Sequence, residues 1–461
     1  MRRLPIRVIA SLLAFSLIII NANFSAMADD TYMDSTSQQE ASEETKKYDQ
    51  NDQNAHNEEN TRTADVGTMP TINADGSVTL QSTNDFVALS SNWDKYADSI
   101  NEIIIAPHDN TPLSLSDTGF MGFGTENKPY AGKIGFAGTF TDYITLDKSL
   151  FNYLSQDADV GKLNLKASNN TKAPILADNF VKGDSAESSE SHSISLKLAL
   201  ATNKAETEDG EKEFSKFGGI IGTMRPETAL SLSVECELKD GNQAVKYAVE
   251  GSGNRGFFCN TMGDNSSLSV EQVTVNNNYN VTSSDADAGA FVGHMNTGAS
   301  LTVNCDFTYM GVVTGKNNAG GLVGCADNNS NIFLNKSYSV GDGTGDAGGT
   351  AATINSTNGN AGGLIGKATD VSFTFGENIS TVINATIAAR DGTSGGAAGG
   401  LIGSCIYNAN TIGNTGSTGV AKNVNLNLDK FIIKKRTSLQ DSVQVVFLVC
   451  LKTNQKRVRL R

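Results

Sequence analysis

Proline and tryptophan are nearly missing from this chain, at seven residues and one, and histidine is down to four. Aromatic residues make up only 7%, which leaves a core of Leu, Ile, Val, Phe and Ala packed in thin layers. None of the six cysteines (Cys236, Cys259, Cys305, Cys325, Cys405 and Cys450) falls in a C-x-x-C pair. His56, His108, His192 and His294 stand far from metal-ligand spacing, so neither a metal ligand nor a cofactor is expected. H-E-x-x-H is absent, and so is the P-loop; metallopeptidase and nucleotide-hydrolysing readings each fail at their first requirement. No catalytic residue is expected.

Positive charge is also in deficit, with 36 Lys and Arg against 50 Asp and Glu, a formal charge of −14. Part of that small positive share belongs to a secretory signal. Arg2, Arg3 and Arg7 form its charged start, residues 8–20 its apolar core and Ala26-Met27-Ala28 its cleavage site. The apolar run is shorter than the ~20 residues a membrane span needs. Cleavage after residue 28 removes three positive charges and no negative one, so −14 becomes −17. Nucleic acid and anionic membrane surfaces are then poor partners for the body of the protein, and membrane contact is expected only through the signal before cleavage.

What the chain does have is glycine, 46 residues of it, with abundant Asn, Ser and Thr. Much of the glycine falls in a repeated frame. Gly218-Gly219-Ile220-Ile221-Gly222 returns as Gly289-Ala290-Phe291-Val292-Gly293, then Gly320-Gly321-Leu322-Val323-Gly324. It returns again as Gly362-Gly363-Leu364-Ile365-Gly366 and Gly399-Gly400-Leu401-Ile402-Gly403. A weaker copy reads Arg255-Gly256-Phe257-Phe258-Cys259. Counted from the second position of each copy, at 219, 256, 290, 321, 363 and 400, the steps are 37, 34, 31, 42 and 37. A repeat of that period marks a stacked architecture.

After each frame comes a polar turn and an alternating strand. Ser231-Leu232-Ser233-Val234-Glu235-Cys236 matches Ser300-Leu301-Thr302-Val303-Asn304-Cys305, and Ser267-Leu268-Ser269-Val270-Glu271 matches the first part of both. Apolar residues at every second place face inward and leave Ser, Thr, Glu and Asn outward. No helical stripe of useful length lies between copies. Parallel strands wound as a coil solve the packing, because each layer buries its inner face on its neighbours. The expected fold is all-β, a right-handed parallel β-helix, with Ile220, Leu322, Leu364 and Leu401 in one column. Six repeats rise about 30 Å if each makes one turn, and twice that if each makes two.

The organisation that follows is a signal at 1–28, a disordered acidic linker at 29–66, a β-rich N-terminal region that begins the coil at 67–213, the repeat array at 214–428, and a basic tail at 429–461. Trp93 is expected in the core of the N-terminal region rather than on a ligand platform. The tail loses glycine and ends Lys456-Arg457-Val458-Arg459-Leu460-Arg461, which suggests a truncated or frameshifted end.

The repeats resemble the GLUG-motif repeats of bacterial surface proteins, on the frames at 218–222, 320–324, 362–366 and 399–403, with 289–293 close behind. The resemblance implies export and a surface role, with adhesin-like members common, and it brings no catalytic residues. The expected function is a non-enzymatic, cell-surface adhesion or binding scaffold, its partners a host glycan or matrix ligand and the cell wall. A carbohydrate-active β-helix enzyme is the alternative, and a structural spacer in a larger wall protein is a third reading. The enzyme needs clustered carboxylates. Glu235, Glu237, Glu271 and Asp306 fall on outward strand positions, where Glu235 and Glu271 could stack in successive turns, and a solvated face is the simpler reading. Gly341-Asp342-Gly343-Thr344-Gly345-Asp346 is similar to a calcium-binding turn but lacks its G-G-x-G-x-D spacing. Two equivalent disulfides, Cys236–Cys259 and Cys305–Cys325, compete with inward cysteines acting as small apolar residues.

Overall fold

A computed structural model describes residues 68–108, 111–138, 140, 142–168, 171–184, 192–200, 215–236, 247–275, 277–341, 352–376, 381–389, 397–406 and 431–433. The signal at 1–28, the linker at 29–66, Glu237, Asp342 to Asp346 of the calcium-type turn, Cys450 and nearly all of the basic tail lie outside those residues.

The repeats wind into a parallel β-helix, and each repeat makes one turn. A representative turn runs through strands Asn280–Ser283, Ala288–Gly289, Val292–Met295, Ser300–Val303 and Phe307–Tyr309 before Val312–Gly315 begins the next. Each of these strands pairs in parallel with its equivalent one turn later: Val292 with Val323, Ser300 with Asn331, Phe307 with Tyr338. Among the described residues the strands gather into stacked sheets of nine, eight, six, five and four strands. The nine- and eight-stranded sheets begin with Leu113–Ser114 and Phe151–Ser155, well before the first glycine frame. Phe431–Ile433, in the stretch assigned to the tail, pairs with Thr381–Ile383.

The apolar column forms as expected. Hydrogen bonds climb it from Ile220 N–H to Phe257 C=O, Phe258 N–H to Phe291 C=O, Phe291 N–H to Leu322 C=O, Leu322 N–H to Leu364 C=O and Leu364 N–H to Leu401 C=O. Ile220, Phe258, Phe291, Leu322 and Leu364 are fully buried, and Leu401 packs against them partly buried. Burial of side chains this size contributes about 1.5–3 kcal/mol each. The fourth residue of the first five frames (Ile221, Cys259, Val292, Val323, Ile365) is fully buried as well, and Ile402 of the last is partly buried.

The pairing corrects the reading of the weak copy. Gly256 pairs with Gly289, and Cys259 with both Ile221 and Val292. The frame there is Gly256-Phe257-Phe258-Cys259-Asn260, one residue later than expected. Asn260 takes the place of the closing glycine, and its buried amide bridges two turns: Nδ2 donates to Gly218 C=O at 2.9 Å, and Oδ1 accepts from Gly256 N–H at 3.0 Å.

Close approach, more than backbone freedom, explains the frame glycines. Of them only Gly219 has a positive φ, at 97°. A Cβ on Gly324 would lie 2.5 Å from Gly293 O and 2.7 Å from Ala288 O, both in the turn before.

The core also holds rings that composition did not suggest. Tyr130, Tyr279, Tyr309 and Tyr338 are fully buried. Their hydroxyls are satisfied from the frames and strands they fill against: Tyr279 donates to Ala290 C=O, Tyr309 to Tyr279 C=O and Tyr338 to Gly321 C=O. Phe291 stacks edge-on with Phe258, Phe307 and Tyr338.

At the N-terminal end, Ser77–Leu80, Glu102–Ile105, Lys133–Phe136 and Asp159–Val160 form a parallel sheet of their own. One stretch given no element by its sequence, residues 85–90, lies in helix α1 (Thr83–Ser91). Ser82 caps it, with its side chain accepting from Asp85 N–H while the Asp85 carboxylate accepts from Ser82 N–H. The helix buries Phe86, Val87, Ala88 and Leu89. Trp93 is a core residue as expected, packed on Phe123 and Tyr130 with its indole N–H donating to Lys128 C=O.

Candidate functional site

Two polar columns run along the coil beside the glycine frames. One comes from the residue that enters the first four of the five corner strands: Asn254, Asp287, Asn318 and Asn360, in register by the pairing of Arg255 with Ala288, Ala288 with Ala319 and Asn318 with Asn360. These side chains form a ladder. Asn318 Nδ2 donates to Asp287 Oδ1 at 2.7 Å, and Asn360 Nδ2 donates to Asn318 Oδ1 at 2.9 Å. Asp287 N–H donates to Asn254 Oδ1 at 3.3 Å. A parallel stack repeats its environment at about 4.8 Å intervals, which is why like amides pair along it.

The second column lies on the eight-stranded sheet, where Thr261, His294, Cys325, Lys367 and Ser404 are successive partners. In its strand, Val292 and Met295 are buried in the core while the His294 side chain remains 19% exposed.

The columns meet at His294. Its Nδ1 lies 2.7 Å from Asp287 Oδ2 in the same turn, and its Nε2 lies 3.0 Å from Asp327 Oδ2 in the next turn. Asp287 is almost buried and Asp327 is 40% exposed. Cys325, buried one turn above His294, points its thiol at Asp327 Oδ1 at 3.8 Å. Burial alone would push the imidazole toward its neutral form, but the hydrogen bonds to Asp287 and Asp327 outweigh it and raise the pKa to about 12. Asp327 is held below the ordinary carboxylate range, chiefly by His294 and against its own burial. Burial pushes the Cys325 thiol up, with His294 opposing.

At neutral pH the ring is therefore an imidazolium clamped between two carboxylates, next to a protonated thiol. That state supplies neither a free base nor a thiolate nucleophile. One ligand atom each from Asp287, His294 and Cys325 lies within 4.8 Å of the others, a donor set of oxygen, nitrogen and sulfur. Linear spacing concealed this group: His294 and Cys325 are 31 residues apart and become neighbours only because one turn separates them. Laying the frames 289–293 and 320–324 over one another places Cys325 on His294, which is the signal that would have found it.

The other residues singled out by sequence stay apart. Glu235 pairs with Lys162 at 3.4 Å, and Asp306 accepts from Ser337 N–H. Glu271 does not stack on Glu235. It is the extra residue of a bulge at which Leu232 pairs with Val270 and Ser233 with Gln272, leaving Glu235 opposite Thr274. The pairing also sets Ser267 against Ala229 and Ser300, so the expected match of Ser231 with Ser300 is offset by two residues and Cys236 does not lie in register with Cys305. Among the described residues, Cys236, Cys259, Cys305 and Cys325 form no disulfide with one another. Cys236 and Cys259 are buried as small apolar residues would be, whereas Cys325 belongs to the polar column.

No family model, curated protein or solved structure matches this chain.

Proposed function

We propose that the protein is an exported bacterial surface protein whose coil serves as a stiff, non-enzymatic scaffold for adhesion or binding. The observation that carries this reading is the unbroken parallel stack, nine strands deep among the described residues in its largest sheet, with an outer face of Ser, Thr, Asn, Asp and Glu. Each turn rests on its neighbours, so the array resists bending and presents the same polar surface along its length. The outward carboxylates Glu235, Glu271 and Asp306 are each engaged by separate local partners rather than converging on one bond. The signal sequence and the glycine frames similar to GLUG repeats support export and a surface address.

The test is binding of the purified chain to glycan arrays and to immobilised extracellular-matrix proteins, followed by product analysis of any glycan bound. Saturable binding that leaves the ligand intact is the expected result. Depolymerisation of a bound glycan would overturn the non-enzymatic reading in favour of a carbohydrate-active β-helix enzyme.

A further inference from the structure

We propose that Asp287, His294 and Cys325 form a binding site for one zinc-class divalent metal ion, built across two turns of the coil. The three donor atoms already lie within 4.8 Å of one another. Tetrahedral zinc with N, O and S ligands at about 2.0–2.3 Å needs donor separations of roughly 3.3–3.7 Å, so side-chain rotation has to open the Asp287–His294 pair from 2.7 Å and bring the Cys325 thiol into the same range. Imidazole and thiolate together favour zinc over magnesium or calcium, which prefer all-oxygen ligands.

The surroundings already hold the ligands in place. Nδ1 is the imidazole nitrogen that faces Asp287, and Nε2 keeps its proton against Asp327 Oδ2 at 3.0 Å. A carboxylate behind the far nitrogen of a ligating histidine fixes its tautomer and orientation. Asp287 offers Oδ2 to the metal while Asn318 Nδ2 holds Oδ1 at 2.7 Å. Asp287 and Cys325 are nearly buried, so two of the three ligands are withdrawn from competing water.

The site also explains a break in the ladder. Asn254, Asn318 and Asn360 stand at the position where this one turn has Asp287, and this same turn carries the histidine. The charge bookkeeping closes. Without metal, two carboxylates, an imidazolium and a neutral thiol carry one net negative charge. On binding, Nδ1 and Sγ each give up a proton to solvent and form bonds to the ion. Two carboxylates, a thiolate, a neutral imidazole and a divalent cation again carry one negative charge. A divalent ion replaces two protons with no added charge in a half-buried place.

Cobalt(II) serves as the probe, titrated into the full chain after metal removal and thiol reduction. The expected result is a thiolate-to-cobalt charge-transfer band in the near ultraviolet that saturates at one equivalent and is displaced by Zn²⁺. Cys325→Ser should abolish the band, while Cys305→Ser should keep it. Asp287→Asn restores the residue type of the neighbouring turns and so preserves the ladder. It should weaken Co²⁺ binding at least about tenfold with an unchanged circular dichroism spectrum. A wild-type chain that gives no band at one equivalent, or a band that persists in Cys325→Ser, would overturn the proposal.

Discussion

The glycine corner and the nine-stranded sheet belong to the same turns but follow different rules. At the corner Gly289, Gly320, Gly362 and Gly399 pair without a break, and so do Val292, Val323, Ile365 and Ile402. In the nine-stranded sheet the register slips at Glu271, and the strand Ala229–Cys236 sits two residues from where its sequence aligns. The corner is fixed by contact between backbones: no side chain fits where Gly324 meets Gly293 and Ala288. The sheet is fixed only by alternation. A shift of two keeps every side chain on its face, and a bulge absorbs one extra residue. Strict sequence repetition therefore marks close approach, whereas loose repetition marks a face that needs only to be apolar inside.

The largest test of that contrast is Gly324→Ala. Its new Cβ meets two carbonyl oxygens of the preceding turn, and only backbone movement relieves it. The expected loss is about 3 kcal/mol, read as a lower urea midpoint. Gly135→Ala is its counterpart, because a Cβ there meets nothing within 4 Å and the backbone is regular. It should be neutral or stabilise by up to about 1 kcal/mol through a less flexible unfolded chain. Equal losses at both positions would refute close approach as the reason for the frame.

Asn260→Ala comes next. Asn260 closes a frame with hydrogen bonds in place of a glycine, and truncation leaves Gly218 C=O and Gly256 N–H without that partner. The expected cost is about 2 kcal/mol, again from denaturant midpoints. A neutral substitution would mean that the corner tolerates an unbridged turn.

Much of this was legible in the sequence, and what was not has a physical reason. Glycine frames and period-two strands imply a parallel coil, because both periodicities follow from backbone geometry. The count of one turn per repeat needed the pairing of Val292 with Val323. The frame at Gly256 was misread by one residue because Arg255-Gly256 imitates the paired glycines, while Asn260 conceals the closing position. Helix α1 was missed although Ser82 and Asp85 carry its start signal. The buried tyrosines escaped because low aromatic content says nothing about where the few rings sit. The cluster at His294 was hidden because its members lie on two turns, and stacking distance cannot be read from spacing along the chain.

The smallest expected effect lies at the bulge itself. Glu271 accepts hydrogen bonds from the hydroxyls of Ser269 and Ser231 and from the amide of Asn304, so its charge ties three turns together across the slip. The hydrogen bond from Ser269 is the chief reason its carboxyl is held below the usual range, with burial opposing and the bonds from Asn304 and Ser231 adding to it. A folded pKa below the unfolded value of about 4.3 means the stabilisation is present above that value and fades as pH falls through the folded pKa. Glu271→Gln should therefore cost less than about 1 kcal/mol near neutrality, as befits an exposed charge. The gap between variant and wild type should close as the pH drops below about 4. A gap that stays constant from neutral pH to acid would show that shape alone, without the carboxylate charge, seats the bulge.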